Sequence, residues 1–425
     1  MSVPTPTLRE TGGNGAADRR DGVLLTGATG FLGTELLARY LRHSDRTVYA
    51  IVRADDDAHA QQRIDETLTD AFGSAEPFAA RVRALAGDMT QPGLGLDPAA
   101  ARELAPCVDE IVHGAAAVSF DLDLAQARAI NVHGTREMLE LAELCQRHGG
   151  LRRVTYVSTA YVAGLHRGPF GEDDLDVGQR FRNAYERSKF ESEQLLREYG
   201  QRLPITVARP SIIVGDSRSG WTASFNVLYW PTRALGRGSF PVLPARRRSP
   251  VDVVSVDYVA DAVYALAAMP EAAGNTYHLT SAKDATSISE LLALACDKLD
   301  VKSPPLVSPL LYRRVLAPLL GLVQPRRREF LRATATYVPY FAVRAEFDDS
   351  RARAALGPKI VAKPLGEYYG RIIDYALHTR WGARPLTRAA AAQRAGVANV
   401  ERAPQPAHSP AGRSYSSHDR AQRPG

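Results

Sequence analysis

Tyr185 and Lys189 stand four residues apart in the run Asn183-Ala184-Tyr185-Glu186-Arg187-Ser188-Lys189. On a helix that spacing puts both side chains on one face. A phenol beside an ammonium suits one kind of chemistry, the protonation of an oxygen as hydride reaches the carbon next to it. A free tyrosine titrates at about 10, poorly matched to neutral pH, and a nearby ammonium favours the phenolate and draws that value down. The ammonium can also hydrogen-bond the ribose of a nicotinamide cofactor. Upstream, Arg153-Val154-Thr155-Tyr156-Val157-Ser158-Thr159-Ala160-Tyr161 is an apolar-rich strand that ends in hydroxyls. Either Thr159 or Ser158 could give the developing oxyanion a second hydrogen bond. A Tyr-Lys pair at this spacing occurs by chance on many surface helices. It gains weight from what precedes it.

What precedes it is Thr26-Gly27-Ala28-Thr29-Gly30-Phe31-Leu32-Gly33. The apolar run Val23-Leu24-Leu25 leads in and reads as a buried parallel strand. Phe31, Leu32, Leu36, Leu37, Tyr40 and Leu41 follow at helical spacing. A strand, a glycine turn and a helix start make an anion site, with free N–H groups aimed at a pyrophosphate. Gly27 permits the tight turn, Gly30 lets the backbone approach the phosphates, and Gly33 lets helix and strand pack closely.

The remaining elements predict a doubly wound parallel sheet. Thr47 to Arg53 is a second strand, Val82 to Ala86 a third, Glu110 to Ala117 a fourth running into a small-residue turn, and Val207 to Gly215 another strand and loop beyond the hydroxyl strand. Asp57 to Phe72 and Leu124 to Gln146 read as helices. Binding of NAD usually calls for an acid about twenty residues past the glycines, to hold the ribose 2′-hydroxyl. Arg53 occupies that position. A guanidinium there suits the 2′-phosphate of NADPH, and Arg63 could reach the same group. Asp55 and Asp56 follow closely and could contact a ribose instead. Asp88, in Gly87-Asp88-Met89 at a strand end, is placed to meet the adenine or to close a turn. Gly114, Ala115 and Ala116 are small enough for the backbone to lie along the nucleotide. His113 lacks an acid partner nearby and reads as a packed strand-end side chain.

The glycine spacing is G-x-x-G-x-x-G, which resembles the extended short-chain dehydrogenase/reductases. Four further stretches look like the thioester-reductase and fatty acyl-CoA reductase (male-sterility) branch of that superfamily. They are His113 to Phe120, Val157 to Val162, Arg209-Pro210-Ser211-Ile212-Ile213-Val214-Gly215 and Val251 to Asp261. The resemblance covers Val23 to Thr280. It implies that Thr159 rather than Ser158 is the catalytic hydroxyl and that Asp88 and Met89 meet the adenine. It implies that Pro210, Ser211 and Ile213 lie against the nicotinamide and that Asn131 of Asn131-Val132-His133-Gly134-Thr135 braces the strands. It also implies hydride transfer from NADPH to an acyl thioester, released as aldehyde or alcohol. This chain has no serine carrier motif and no adenylating domain, so the thioester, on CoA or a carrier protein, is expected from outside. A sterol-acting extended dehydrogenase and a non-catalytic NADP-binding sensor are the competing expectations. Arg53 speaks against nucleotide-sugar enzymes, and retention of Tyr185 and Lys189 against a sensor.

Bulk properties bound the rest. With 425 residues, 45% hydrophobic and 24% charged, the chain fits a nucleotide domain plus an appended region. The expected division is 1–21 disordered and 22–280 as the Rossmann domain, with a cap insertion at about 220–248. A smaller, mainly helical substrate region covers 281–383, and a disordered basic tail covers 384–425. The net charge is +6, of which the segment from Arg384 onward carries +5, so no nucleic-acid groove is expected on the fold. Three scattered cysteines imply no disulfide framework and no metal site. With no signal peptide and no apolar stretch of membrane-spanning length, the expected compartment is the cytoplasm. Gly220 to Arg248 and Pro304 to Tyr340 are expected to cap an acyl channel. Leu310 to Leu320 is open to three readings: core helix, substrate lid or peripheral membrane contact. Arg246 to Arg248 and Arg326 to Arg328 are candidate landing sites for an anionic thioester donor. No residue pattern specifies an oligomeric state.

Overall fold

The structure is a computed structural model describing residues 21–225, 227–308, 311–312, 314, 340 and 343–397. Seven strands form one sheet: β1 Gly22–Thr26, β2 Thr47–Val52, β3 Val82–Ala86, β4 Val108–His113, β5 Arg153–Val157, β6 Ile205–Pro210 and β7 Thr276–Leu279. Their order is β7-β6-β5-β4-β1-β2-β3, and every pairing is parallel. A parallel sheet is covered by helices on both faces, which is why β1, β5 and β6 are buried along their whole length. The chain reverses direction across the sheet between β1 and β4. Ligands of such sheets bind outside the strand C-termini at that switch point. Thr26, Arg53, Asp88, Gly114, Thr159 and Ser211 all lie at or just beyond that edge.

Helices α1 Phe31–His43, α2 Asp57–Phe72, α3 Gly134–Gly149, α4 Ala184–Tyr199 and α5 Val256–Ala268 wrap the sheet. Asp56 caps α2 by accepting from His59 N at 2.7 Å, and Asn183 caps α4 through Glu186 N at 3.0 Å. Helix α2 has the bounds expected of it.

Three elements differ from expectation. The segment 124–146 is not one continuous α-helix. Leu124–Arg128 and α3 are joined by a π-helical turn over Ala129–His133. The stretch Val207 to Gly215, read as a strand and loop, holds the end of β6 and, where the loop was expected, a second short strand. Ile212–Val214 leaves the main sheet and pairs with Val253–Ser255. β7 carried only four residues of pattern and was not foreseen.

The C-terminal region is mainly helical, as expected. It holds α6 Ile288–Leu299, α7 Ser350–Leu356, α8 Tyr369–His378 and α9 Arg388–Arg394. Strand Arg344–Phe347 returns to pair with Arg167–Phe170, so this region closes over the substrate side of the sheet. Its core is a separate apolar cluster including Tyr161, Phe170, Tyr229, Leu292, Phe347 and Ile372. The expected tail boundary at 384 is corrected. Helix α9 is folded onto the nucleotide domain, because the Arg388 guanidinium is buried against Glu35 of α1. Most of Leu310 to Leu320 and all of Arg326 to Arg328 lie outside the described residues.

Candidate active site

The glycine turn is built for close approach. Gly27 has φ +75°, in the left-handed region, and a Cβ there would meet the Ala115 backbone at 2.8 Å. A Cβ on Gly33 would sit 1.8 Å from the Gly27 carbonyl oxygen. The start of α1 and the end of β1 can therefore touch only with glycine at 33. Gly30 N donates to Gly27 O at 2.9 Å and closes the turn. These are the backbone features a pyrophosphate needs, and the residues present fit a dinucleotide.

The Thr26 side chain turns inward. Its hydroxyl shares a 2.7 Å hydrogen bond with His113 Nδ1 and accepts from Ala115 N at 3.1 Å. It ties the ends of β1 and β4 together. Burial pushes His113 down to about 3, helped by the Lys189 charge, so the ring is neutral and serves packing. Arg53 is exposed at the end of β2, and the Arg63 guanidinium reaches back to the Arg53 carbonyl. The two cations share the edge at the end of β2. One Asp88 oxygen accepts from Thr90 N and from the Thr90 hydroxyl, both at 2.8 Å, and so closes a turn. Met89 packs against Gly134, where a Cβ would come within 2.8 Å of the Met89 carbonyl. Phe31 lies 5.6 Å from Trp221, and Leu32 packs on the apolar core under the sheet. Pro210 is the last residue of β6, and Ser211 N donates to Leu279 O of β7 at 3.2 Å. Ile213 pairs with Val254 in the two-stranded ladder.

Thr159, Tyr185 and Lys189 converge past β5. Thr159 is 3% exposed and its hydroxyl oxygen accepts from Tyr161 N at 3.2 Å. Burial pushes the Tyr185 hydroxyl above its ordinary value, and a hydrogen bond with Thr159 opposes that rise. The phenol therefore holds its proton across the neutral range. Lys189 is 1% exposed, and its Nζ donates to the Tyr156 hydroxyl and to the Val157 carbonyl, each at 2.7 Å. Burial brings Lys189 down to about 7, against the opposing pull of Glu193. The Lys189 ammonium, expected to act on the Tyr185 phenol, makes its hydrogen bonds one side chain away, to Tyr156 and the Val157 carbonyl.

Ser158 is directed elsewhere. Its hydroxyl donates to Glu193, a buried carboxylate that also takes Arg209 in a two-pronged pair at 2.7 and 3.0 Å. The geometry leaves Thr159 as the hydroxyl beside Tyr185.

Four residues escaped the sequence reading. Tyr156, Glu193, Phe120 and Tyr340 have no spacing signature, because each matters through a partner distant in sequence. Phe120 lies 6.0 Å from Tyr185 and stacks on Tyr340 at 5.1 Å, forming an aromatic wall. Asn131, expected to brace the strands, ties the loop after β4 to α4. Its amide accepts from Ala117 N at 2.8 Å and donates to Ala117 O at 3.1 Å and to the Ser188 hydroxyl at 2.9 Å. The Asn131 carbonyl lies within the π turn. The Thr135 and Ser192 hydroxyls take it at 2.6 and 2.7 Å. Loop, turn and α4 are thus locked together under Tyr185 and Lys189. Among the described residues, no group of His, Cys, Asp and Glu could hold a metal.

A doubly wound parallel sheet, a glycine turn at its switch point and a Thr-Tyr-Lys group beside it define a nicotinamide-dependent oxidoreductase of the extended short-chain type. Residues 25–263 match the family model described as male sterility protein, and the chain belongs to that family. It is 37% identical over 236 residues to an isonitrile lipopeptide synthase of Streptomyces coeruleorubidus, covering 55% of this chain and 16% of that protein. It is 33% identical over 296 residues to a carboxylic acid reductase of Mycobacterium marinum, covering 62% of this chain and 24% of that protein. The chain thus spans a quarter or less of either relative. The crystal structure of the terminal R domain from the myxalamid PKS-NRPS biosynthetic pathway superposes with a TM-score of 0.73 at 28% identity. That match covers 87% of this chain and 94% of the other.

Proposed function

We propose that this protein reduces an acyl thioester with NADPH. The observation that carries the proposal is the convergence of Thr159, Tyr185 and Lys189 beside the glycine turn at one sheet edge. The similarity to a carboxylic acid reductase and to the terminal R domain of a PKS-NRPS pathway supports an activated acyl substrate. Bound at the turn, the nicotinamide supplies hydride to the thioester carbonyl carbon. Thr159 and Tyr185 hold the carbonyl oxygen by hydrogen bonds, and Tyr185 gives its proton to the developing oxyanion. Lys189, through Tyr156 and the Val157 carbonyl, fixes the face of α4 that presents Tyr185. The hemithioacetal then collapses, the carbon–sulfur bond breaks, and the thiol leaves an aldehyde; a second hydride would give the alcohol. Phe120, Tyr161 and Tyr340 wall the acyl side against water.

Preference for NADPH rests on Arg53 and Arg63 at the end of β2. NADPH should bind at least about tenfold tighter than NADH, about 1.4 kcal/mol. Arg53→Asp should shrink or reverse that preference, and equal wild-type binding of the two cofactors refutes it. The cytoplasm is the proposed compartment, with Cys107, Cys145 and Cys296 all free. No described helix is long and apolar enough to cross a membrane. The deciding experiment follows NADPH absorbance with a panel of acyl-CoA and acyl-carrier thioesters. Consumption of NADPH with aldehyde or alcohol formation supports the proposal; oxidation of a sterol-like alcohol with no thioester turnover overturns it.

A further inference from the structure

A cleft of about 1130 Å³ opens beside the active site, between the turn before Arg167–Phe170, residues 177–182, residues 246–250 and the strand Arg344–Phe347. Arg167, Arg180, Arg246, Arg248 and Arg344 line it, with Glu346 the acid among the lining side chains. None of these five arginines forms an ion pair among the described residues, whereas Arg39, Arg46, Arg209 and Arg351 elsewhere are all paired. Arg167 and Arg246 together push Arg344 below its ordinary value, the mark of like charges crowded without a counterion. Among the described residues Glu346 is the one acid set against these five arginines in the lining.

The cleft joins the chemistry at its inner end. Arg182 lines it, and the Arg182 guanidinium lies 5.7 Å from the centre of the Tyr340 ring. From there Phe120 and Tyr185 follow at ring steps of 5.1 and 6.0 Å. A pantetheine arm extends about 16 Å at ordinary bond lengths. An arm running from a thioester at Tyr185 along these rings would reach Arg182 at the inner end of the cleft.

We propose that this cleft binds the adenosine 3′,5′-bisphosphate end of a CoA thioester. The inference rests on the thioester reading above and adds the donor. The arm of a carrier protein brings a single phosphodiester charge, whereas CoA brings a pyrophosphate and a 3′-phosphate, which answer five unpaired guanidiniums. Five arginines lining one cleft suit a compact polyanion, and each guanidinium can grip a phosphate with two hydrogen bonds.

The test begins with adenosine 3′,5′-bisphosphate itself, titrated calorimetrically with the cofactor site saturated by NADP⁺. Wild type should bind it with an affinity that falls as salt rises, and Arg246→Gln/Arg344→Gln should weaken it about tenfold. Both residues are exposed, and an unchanged melting temperature verifies that the variant is folded. In turnover, the KM for acyl-CoA relative to that for the matching acyl-N-acetylcysteamine thioester should rise about tenfold in the variant. Absence of bisphosphate binding, or an equal change in both KM values, overturns the proposal. So does a KM change for an acyl-carrier protein without one for acyl-CoA. Bisphosphate binding in a protein that reduces no thioester would refute the proposed activity and leave the nucleotide site standing.

Discussion

Tyr185 carries the sharpest prediction because its phenol has one job that phenylalanine cannot do. Tyr185→Phe keeps the ring against Phe120 and removes the proton donor and one oxyanion hydrogen bond. Turnover should fall by about two to four powers of ten, with NADPH binding little changed. Full activity in that variant would reassign the acid. Lys189 makes a pH prediction. Its ammonium is brought to about 7 by burial, so it loses its charge as pH rises through neutrality. Tyr185 keeps its proton across that range. If the charged lysine is the active form, kcat/KM for reduction should decline above about pH 7, since this parameter reports groups of the free enzyme. Lys189→Arg keeps a charge at all such pH values and should move the decline upward. A profile flat from pH 6 to 8.5 refutes the assignment. For stability the sign is separate. In this pH range the unfolded lysine binds more protons than the folded one, so this group's contribution grows as pH rises above about 7.

At the scale of elements, the site depends on how closely strands and helices can meet. Gly33→Ala would press a methyl group into the Gly27 carbonyl, 1.8 Å from the ideal Cβ position. The turn must open, and NADPH affinity should fall by at least about tenfold, read by fluorescence titration. Wild-type affinity in Gly33→Ala would show that the turn is not where the cofactor sits. This feature was legible in the sequence, because a strand, three glycines and an amphipathic helix are local patterns. The Tyr185-Lys189 pair was legible for the same reason. The π turn at Ala129–His133 was not, because apolar spacing alone does not separate a π turn from α-helix over five residues. It coincides with bonds from outside the turn: the Asn131 amide meets Ala117 and Ser188, and the Asn131 carbonyl takes the Ser192 hydroxyl. Ser158 against Thr159 was left open for a like reason. The two hydroxyls are adjacent just past β5 and both are buried, and only their partners show that Ser158 turns to Glu193 and Thr159 to Tyr185. β7 is short and gains its place by pairing with β6, a contact between segments about seventy residues apart.

At the scale of the whole molecule, composition misplaced one boundary. The segment after Arg384 is rich in alanine, proline and arginine and reads as a basic tail, yet its first part returns across more than three hundred residues to the start of the chain. Glu35 is fully buried on α1 and would be raised by that burial, but Arg388 and Arg39 beside it hold it below the usual carboxylate range. A carboxylate this deep needs both cations, so α9 is part of the nucleotide domain's stability. Removing Arg388 while leaving Glu35 should cost about 3 kcal/mol, because the remaining charge loses a buried partner. Arg388→Ala should therefore lower the melting temperature markedly, and truncation after Arg384 should lower it at least as far. In a Glu35→Gln background Arg388→Ala should cost much less, and the difference measures the coupling. The pH dependence follows from the sign of the Glu35 shift. A lowered folded value stabilises above the unfolded value and is lost as pH falls through the folded one. Wild type should lose this contribution on acidification below about pH 4.5, and Arg388→Ala should already lack most of it at neutral pH. A chain truncated after Arg384 that melts like the full protein would return α9 to the tail and leave Glu35 to Arg39 alone.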